Sequence, residues 1–245
     1  MDRMLYTAMT GATEMVHAQT ITANNLANAS TTGFKKDLAV MMHHPVRRED
    51  DSRHYAVATT KTQDFEQGHR IQTNRALDVA VDGEGWLAGA GQNGSTGYSR
   101  AGSLNVSADG FLRDRSGRMV LGNEGAVSIP PNSRVEIASD GTVNVFGTGE
   151  FEGDLAIVDR IMLVNPKISE MEKSEDGLFR MKDGTEAEPA AEVQLVSGAL
   201  EGSNVSPIES MAQMIQMSRQ YEMQVKMMKK ADELAGRSSS ILRIT

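Results

Sequence analysis

The residues best suited to hold a metal or move a proton are His17, His43, His44, His54 and His69. A metal site needs three or four converging ligands, and only the adjacent pair His43 and His44 comes near that, within a charged stretch. Gly89-Ala90-Gly91-Gln92-Asn93-Gly94 has the spacing G-x-G-x-x-G. The turn-like segment Ser95 to Arg100 follows it, so no helix N-terminus is placed to receive a pyrophosphate. The motif reads as a glycine-rich hairpin loop. Carboxylates cluster at Glu49, Asp50 and Asp51 and again at Glu170, Glu172, Glu175 and Asp176. Neither group has the apolar surroundings that raise one pKa for acid–base work, so both read as solvated faces. No cysteine is present, which excludes a thiol nucleophile, a thiolate metal site and a disulfide. No G-x-S-x-G elbow occurs either. These residues predict neither catalysis nor a metal or cofactor.

The elements that would have to position such chemistry have a different character. From Met1 to about Asn28 there is no proline and one glycine, and apolar residues fall at Leu5, Met9, Ala12, Val16, Ala23 and Leu26. Spacing of three and four, broken by Gln19, is a narrow helical seam. The cluster Asn28-Ala29-Ser30-Thr31-Thr32-Gly33 then ends the helix. At the other end, Ser206-Pro207-Ile208-Glu209 reads as a capping box. A second seam follows through Met211, Met214, Ser218, Tyr221, Val225 and Met228, and ends near Gly236. Lys226, Lys229 and Lys230 suit the dipole of that helix without a ligand. Between the ends, Asp-Gly pairs at 82–83, 109–110, 140–141, 176–177 and 183–184 mark hairpin turns. Alternating runs such as Leu77–Val81 and Thr142–Phe146 lie beside them.

The expected fold is therefore a mainly β central domain with long N- and C-terminal α-helices that pair in a coiled-coil-like bundle. Its segments are residues 1–33 (helix and exit turn), 34–75 (an extended connector of underived conformation), 76–203 (all-β) and 204–245 (helix). Single seams of this length are marginal alone. The ends need partners, either in other subunits or as an internal helical hairpin packed on the β domain.

Composition narrows the function. Aromatics are 4% of the chain and methionines number 16, so the core is aliphatic and adaptable. A formal net charge of -8 argues against nucleic acid as a partner. No stretch is apolar enough for membrane insertion, and the N-terminus does not read as a secretory signal, which by itself predicts a cytoplasmic protein.

The segment Ala23-Asn24-Asn25-Leu26-Ala27-Asn28-Ala29-Ser30-Thr31-Thr32-Gly33-Phe34-Lys35 resembles the N-terminal signature of the bacterial flagellar rod, hook and hook-associated family. Gly198 to Val205, followed by Arg219 to Gln224, is similar to the matching C-terminal end. Leu77 to Leu87, Tyr98 to Leu104 and Ser174 to Arg180, with Trp86, resemble the rod members' central motifs. The resemblance implies a structural subunit of the basal-body rod, polymerising through its terminal helices into a drive shaft around the export channel. It implies copies of itself, other flagellar rod proteins and the flagellar export apparatus as partners. It also implies export by the flagellar type III system without a cleaved signal and a rod spanning the periplasm, which overrides the cytoplasmic expectation.

Carried over with the resemblance as subunit-interface residues are Asn24, Asn25, Leu26, Asn28, Gly33 and Phe34, with Gly202, Asn204, Tyr221 and Glu222. The seam residues Leu5, Met9, Ala12, Val16, Ala23, Met211, Met214, Val225 and Met228 join them. The competing readings are a distal rod or hook subunit of the same family and a peptide- or chaperone-binding module built on the methionine-rich C-terminal helix.

Overall fold

The computed structural model describes residues 2–45, 54–91, 94–147 and 155–242. Helix α1 (Asp2–Ala27) and helix α2 (Pro207–Leu242) hold the two ends. At a rise of 1.5 Å per residue they are roughly 39 and 54 Å long. Helix α1 stops where the asparagine-rich signature begins to bond to itself. The Asn28 amide donates to both Asn24 O and Asn25 O at 3.1 Å, and Asn28 Nδ2 donates to Asn24 O at 2.9 Å. Helix α2 starts at Pro207 behind Ser206, whose hydroxyl accepts from the Glu209 amide at 3.4 Å. The expected reciprocal box is only half formed, because Glu209 Oε1 accepts from Gln213 Nε2 at 3.1 Å. The helix runs past the expected end at Gly236 to Leu242.

The chain divides into two compact units. The first holds α1, α2 and the stretch 36–64. That stretch, whose conformation periodicity left open, is an antiparallel hairpin of β1 (Asp37–Pro45) and β2 (His54–Gln63). Its base is closed by the Asp64 amide donating to Lys36 O at 2.9 Å and by a Lys36–Asp64 ion pair at 3.1 Å. Helix α1 packs on both α2 and this hairpin.

The second unit, residues 30–35 and 65–204, is all-β. Its strands are β3 (Arg70–Gln72), β4 (Val79–Asp82), β5 (Trp86–Ala90), β6 (Thr96–Ser99), β7 (Leu104–Val106), β8 (Leu112–Asp114) and β9 (Ser133–Ile137). They continue as β10 (Thr142–Gly147), β11 (Leu155–Arg160), β12 (Leu163–Val164), β13 (Met171–Lys173), β14 (Phe179–Met181), β15 (Gln194–Ser197) and β16 (Ala199–Glu201). The sheets are small: β12-β5-β6-β14-β13, β11-β10-β9, and the pairs β15-β4, β16-β3 and β7-β8. The glycines of all five Asp-Gly pairs sit at positive φ, the conformation that lets so many short strands reverse. The β5–β6 hairpin contains the G-x-G-x-x-G run, and the Gly91 amide donates to Ser95 O at 2.8 Å across its turn.

Two apolar clusters hold this unit. One gathers sixteen buried aliphatic side chains, with Val79, Leu112, Val127 and Val143 at 0% exposure. The other is built on Trp86, Tyr98, Met171 and Phe179, with Phe65 edge-on to Trp86 at 5.9 Å between ring centres.

The expected fold needs correction. The described residues contain two helices and many strands spread over small sheets. The helices form a pair backed by a β-hairpin, and not a coiled-coil-like bundle. Helix α1 has to serve two neighbours, so its covered face is wide and made mostly of small or polar residues: Ala8, Ala12, Ala18, Thr22 and Asn25 are buried, with Ile21 the one large apolar side chain among them. A coiled coil would instead seat large apolar side chains along one narrow seam.

Candidate subunit interface

Each seam read from the sequence splits into two rows. On α1, Leu5, Ala12, Gln19 and Leu26 recur every seven residues and are buried or partly covered, whereas Met9, Val16 and Ala23 are exposed. A row seven residues long in repeat drifts little around a helix, so the second row lies beside the first and faces outward. On α2, Met214, Met217, Gln224 and Met228 are partly covered. Thr22 Oγ1 lies 3.8 Å from Met217 Sδ, and a Cβ on Gly11 would lie 3.4 Å from Gln224 Nε2. These two contacts run in opposite chain directions, so the helices are antiparallel. Gly11 leaves room for the Gln224 side chain, and Met217 reaches Thr22.

The sequence placed Met211, Ser218 and Val225 in this seam. From Met214 a three-four pattern can step either way, and apolarity favoured Met211, which is 52% exposed. Ser210 is buried, and Met217 and Gln224 reach α1 beside the partly covered Ser218 and Val225. Tyr221 is 39% exposed, Glu222 is exposed, and Val225 is partly covered. The outward side of α2 carries Ile208 at 82%, Met211 and Ile215 at 58%.

The signature residues do a different job. In the helical unit, Asn25 is buried and pairs with the backbone of Asp37 in both directions, Nδ2 donating to O at 2.8 Å and Oδ1 accepting from N at 2.9 Å. A side-chain amide offers a donor and an acceptor side by side in this way, and the pair fixes where β1 starts. Asn24 is exposed, while Leu26 and Asn28 are partly covered.

In the β unit, Gly33, Phe34, Gly202 and Asn204 come together with each other. The Gly33 amide donates to Glu201 O at 2.8 Å, the Asn204 amide to Phe34 O at 3.4 Å, and Asn204 Nδ2 to Glu66 O at 3.2 Å. The Phe34 ring carries the Lys173 ammonium 4.5 Å from its centre. Gly33 has φ +69, and a Cβ there would stand 2.3 Å from the Arg100 carbonyl carbon, so only glycine fits.

At the centre of this meeting lies a buried ionic cluster that the sequence reading did not single out. Glu201 Oε1 accepts from Lys35 Nζ at 2.7 Å and from the Gly68 amide at 3.1 Å, and Oε2 accepts from Arg100 Nη1 at 2.9 Å. Lys35 also donates to Glu66 O at 2.7 Å, and Arg100 donates to Gly83 O at 2.8 Å beneath the Trp86 ring. Burial pushes the Glu201 carboxyl up, but the Lys35 hydrogen bond and the two cations outweigh it and hold the group below the usual carboxylate range. The one available signal was a lone lysine and a lone glutamate inside two glycine- and asparagine-rich signatures. Among the described residues, no three His, Asp or Glu side chains gather as metal ligands, and no helix is long and apolar enough to cross a membrane.

Residues 5–35 match the model of the flagella basal body rod protein, 80–145 the D1 domain of the flagellar hook protein FlgE/F/G, and 196–241 the C-terminal model of the flagellar basal body rod FlgEFG proteins. The flagellar basal-body rod protein FlgF of Salmonella typhimurium is 37% identical over 252 residues, covering all of both chains. This chain belongs to the flagellar basal-body rod protein family. FlgF of Caulobacter vibrioides is 32% identical over 243 residues, 96% of each chain. The rod protein FlgG of Borreliella burgdorferi is 29% identical over 271 residues, covering 99% of this chain and all of that one. The rod family chain described here is thus FlgF-like, a structural subunit of the basal-body rod located in the flagellar basal body.

Proposed function

We propose that this subunit polymerises with copies of itself and with other flagellar rod proteins through the outward rows of its terminal helices. The observation that carries the reading is the split seam. After α1 and α2 have paired within one chain, Met9, Val16, Ile208, Met211 and Ile215 remain exposed on them. In the assembled rod, residues 1–33 and 204–245 form the inner layer around the export channel, and residues 76–203 lie outside. The carried-over residues from Asn24 to Phe34 and at Gly202 and Asn204 set the geometry from which these rows are presented, and Tyr221 and Glu222 join the contact. The rod spans the periplasm and transmits torque. Its role is mechanical and not enzymatic, with no nucleic acid and no inserted membrane segment. Subunits reach it through the flagellar type III apparatus without a cleaved signal peptide.

The test is Val16→Asp and Met211→Asp in the cell, which place charge in an apolar contact. The expected result is secreted subunit with no filament and no motility. Normal swimming in both variants overturns the reading. Exposed Met211, Met223 and Met227 also suit a peptide or chaperone partner before assembly. In that case the same variants lose export itself.

A further inference from the structure

The five Asp-Gly pairs share one covalent liability: the glycine nitrogen can attack the aspartate side-chain carboxyl. Which pair reacts depends on how each turn holds those two groups. At four of the five both are engaged. The glycine amide donates to the carbonyl three residues earlier, Gly110 to Ser107 at 2.9 Å, Gly141 to Ala138 at 3.0 Å, Gly177 to Ser174 at 3.0 Å and Gly184 to Met181 at 3.1 Å. The aspartates are bound by residues close in the chain. Ser107 and Arg113 push the Asp109 carboxyl down to about 2, and Thr142, Arg180 and Thr185 hold Asp140, Asp176 and Asp183 below the usual carboxylate range. A carboxyl must be neutral to lose its hydroxyl as water, so each lowered pKa leaves less of the reactive form at neutral pH.

The turn at Asp82 and Gly83 is built differently. Ala80, three residues before Gly83, pairs with Val196 of β15, and no described backbone carbonyl takes the Gly83 amide. Both residues of the turn are exposed. The Asp82 carboxylate meets Arg70 of β3 at 2.6 Å, but these side chains are 53% and 45% exposed, so water competes for both. A Cβ on Gly83 would meet nothing within 4 Å, which leaves open space around the turn. We propose that Asp82-Gly83 is a modification site, the turn at which the folded chain converts spontaneously to isoaspartate. The Gly83 nitrogen bonds to Asp82 Cγ while its proton and the Cγ hydroxyl leave as water, closing a cyclic imide. Water then opens the ring at the Asp82 main-chain carbonyl, and the chain runs on through Cγ with a free α-carboxylate. No oxidant or cofactor takes part. The main chain is then one carbon longer, which draws the Gly83 carbonyl from Arg100 Nη2 and Gln67 Nε2, each 2.8 Å away in the unmodified turn. Isomerisation therefore reaches the cation that sits on Glu201 and Trp86.

Peptide mapping of the purified full-length chain, incubated for weeks at neutral pH, locates isoaspartate residue by residue. In the folded chain it is expected at residue 82 about tenfold or more faster than at 109, 140, 176 or 183, the factor that one pKa unit alone supplies. In urea, where all the turns are lost, the five sites react at similar rates. Asp82→Glu, whose longer side chain closes such a ring far more slowly, removes the signal at 82 and leaves the other four unchanged. Even modification of the five sites in the folded chain overturns the proposal. So does a lead taken by any of the other four, or no isoaspartate at 82 over a period in which the unfolded chain is modified.

Discussion

Glu201 and Lys35 face each other across 2.7 Å, yet their removal is expected to have unequal consequences. Glu201→Ala strips the anion from two cations whose side chains are 1% and 5% exposed. Leaving a buried charge without its partner costs about 3–5 kcal/mol, and here two like charges are left facing one site. Lys35→Met leaves Glu201 with Arg100 and the Gly68 amide, and Glu66 O keeps Asn204 Nδ2 at 3.2 Å. Its cost is about 1.5–3 kcal/mol, that of a charge-assisted hydrogen bond. Urea unfolding followed by the fluorescence of Trp86, the chain's one tryptophan, reads the unit directly. With a slope of about 2 kcal/mol/M, the midpoint falls by about 2 M for Glu201→Ala and about 1 M for Lys35→Met. The pH dependence has a definite sign. The folded carboxyl sits below its ordinary value, so the unfolded chain binds the proton more readily and stability rises with pH. The contribution is whole above about pH 4.3, the unfolded carboxyl value, and is lost as pH falls through the folded one. The gap between wild type and Glu201→Ala therefore opens as pH rises from the folded value to that pH and stays constant above it. A Glu201→Ala chain no less stable than Lys35→Met, or a gap that ignores pH, refutes the reasoning.

Other substitutions separate close approach from open space. Gly33→Ala meets backbone at 2.3 Å and a positive φ, so it is expected to lower the stability of the β unit by more than about 1 kcal/mol in urea unfolding. Gly11→Ala finds only the end of Gln224 at 3.4 Å, and circular dichroism is expected to show a helical unit no less stable, with a gain of up to about 1 kcal/mol. Asn25→Ala deletes both bonds to Asp37, and exchange of the β1 amides is expected to rise while the β unit is unaffected.

The terminal helices were legible because their signals are local: absence of proline, three-four spacing, and Ser206-Pro207 at a start. The Asp-Gly turns were legible for the same reason. Which neighbour each helical face meets was not, since the hairpin at 37–63 lay in a stretch with no decisive period. Without it α1 looked like a narrow seam, and the buried Ala18, Ile21 and Thr22 beside that seam went unread. Ser210, Met217 and Gln224 escaped the reading because a three-four pattern can step either way and the sequence weighs apolarity. The ionic cluster was hidden for a different reason. Charge pairing over 166 residues leaves no spacing to read.

The exposed rows also bear on when assembly occurs. Met9, Val16, Ile208, Met211 and Ile215 are each about half or more exposed, so covering them stabilises a contact by about 1 kcal/mol apiece. Five such side chains supply on the order of 5 kcal/mol, while fixing two free proteins together costs an estimated 4–15 kcal/mol. One pairwise contact through these rows is therefore too weak to persist. A subunit added to an existing end loses that freedom once and touches several neighbours, so the same rows suffice there. The isolated full-length chain is accordingly expected to sediment as a monomer at micromolar concentration, and to polymerise only on a preformed end. A stable dimer under those conditions, abolished by Val16→Asp, would mean that the rows pair strongly by themselves and that growth is not confined to the tip.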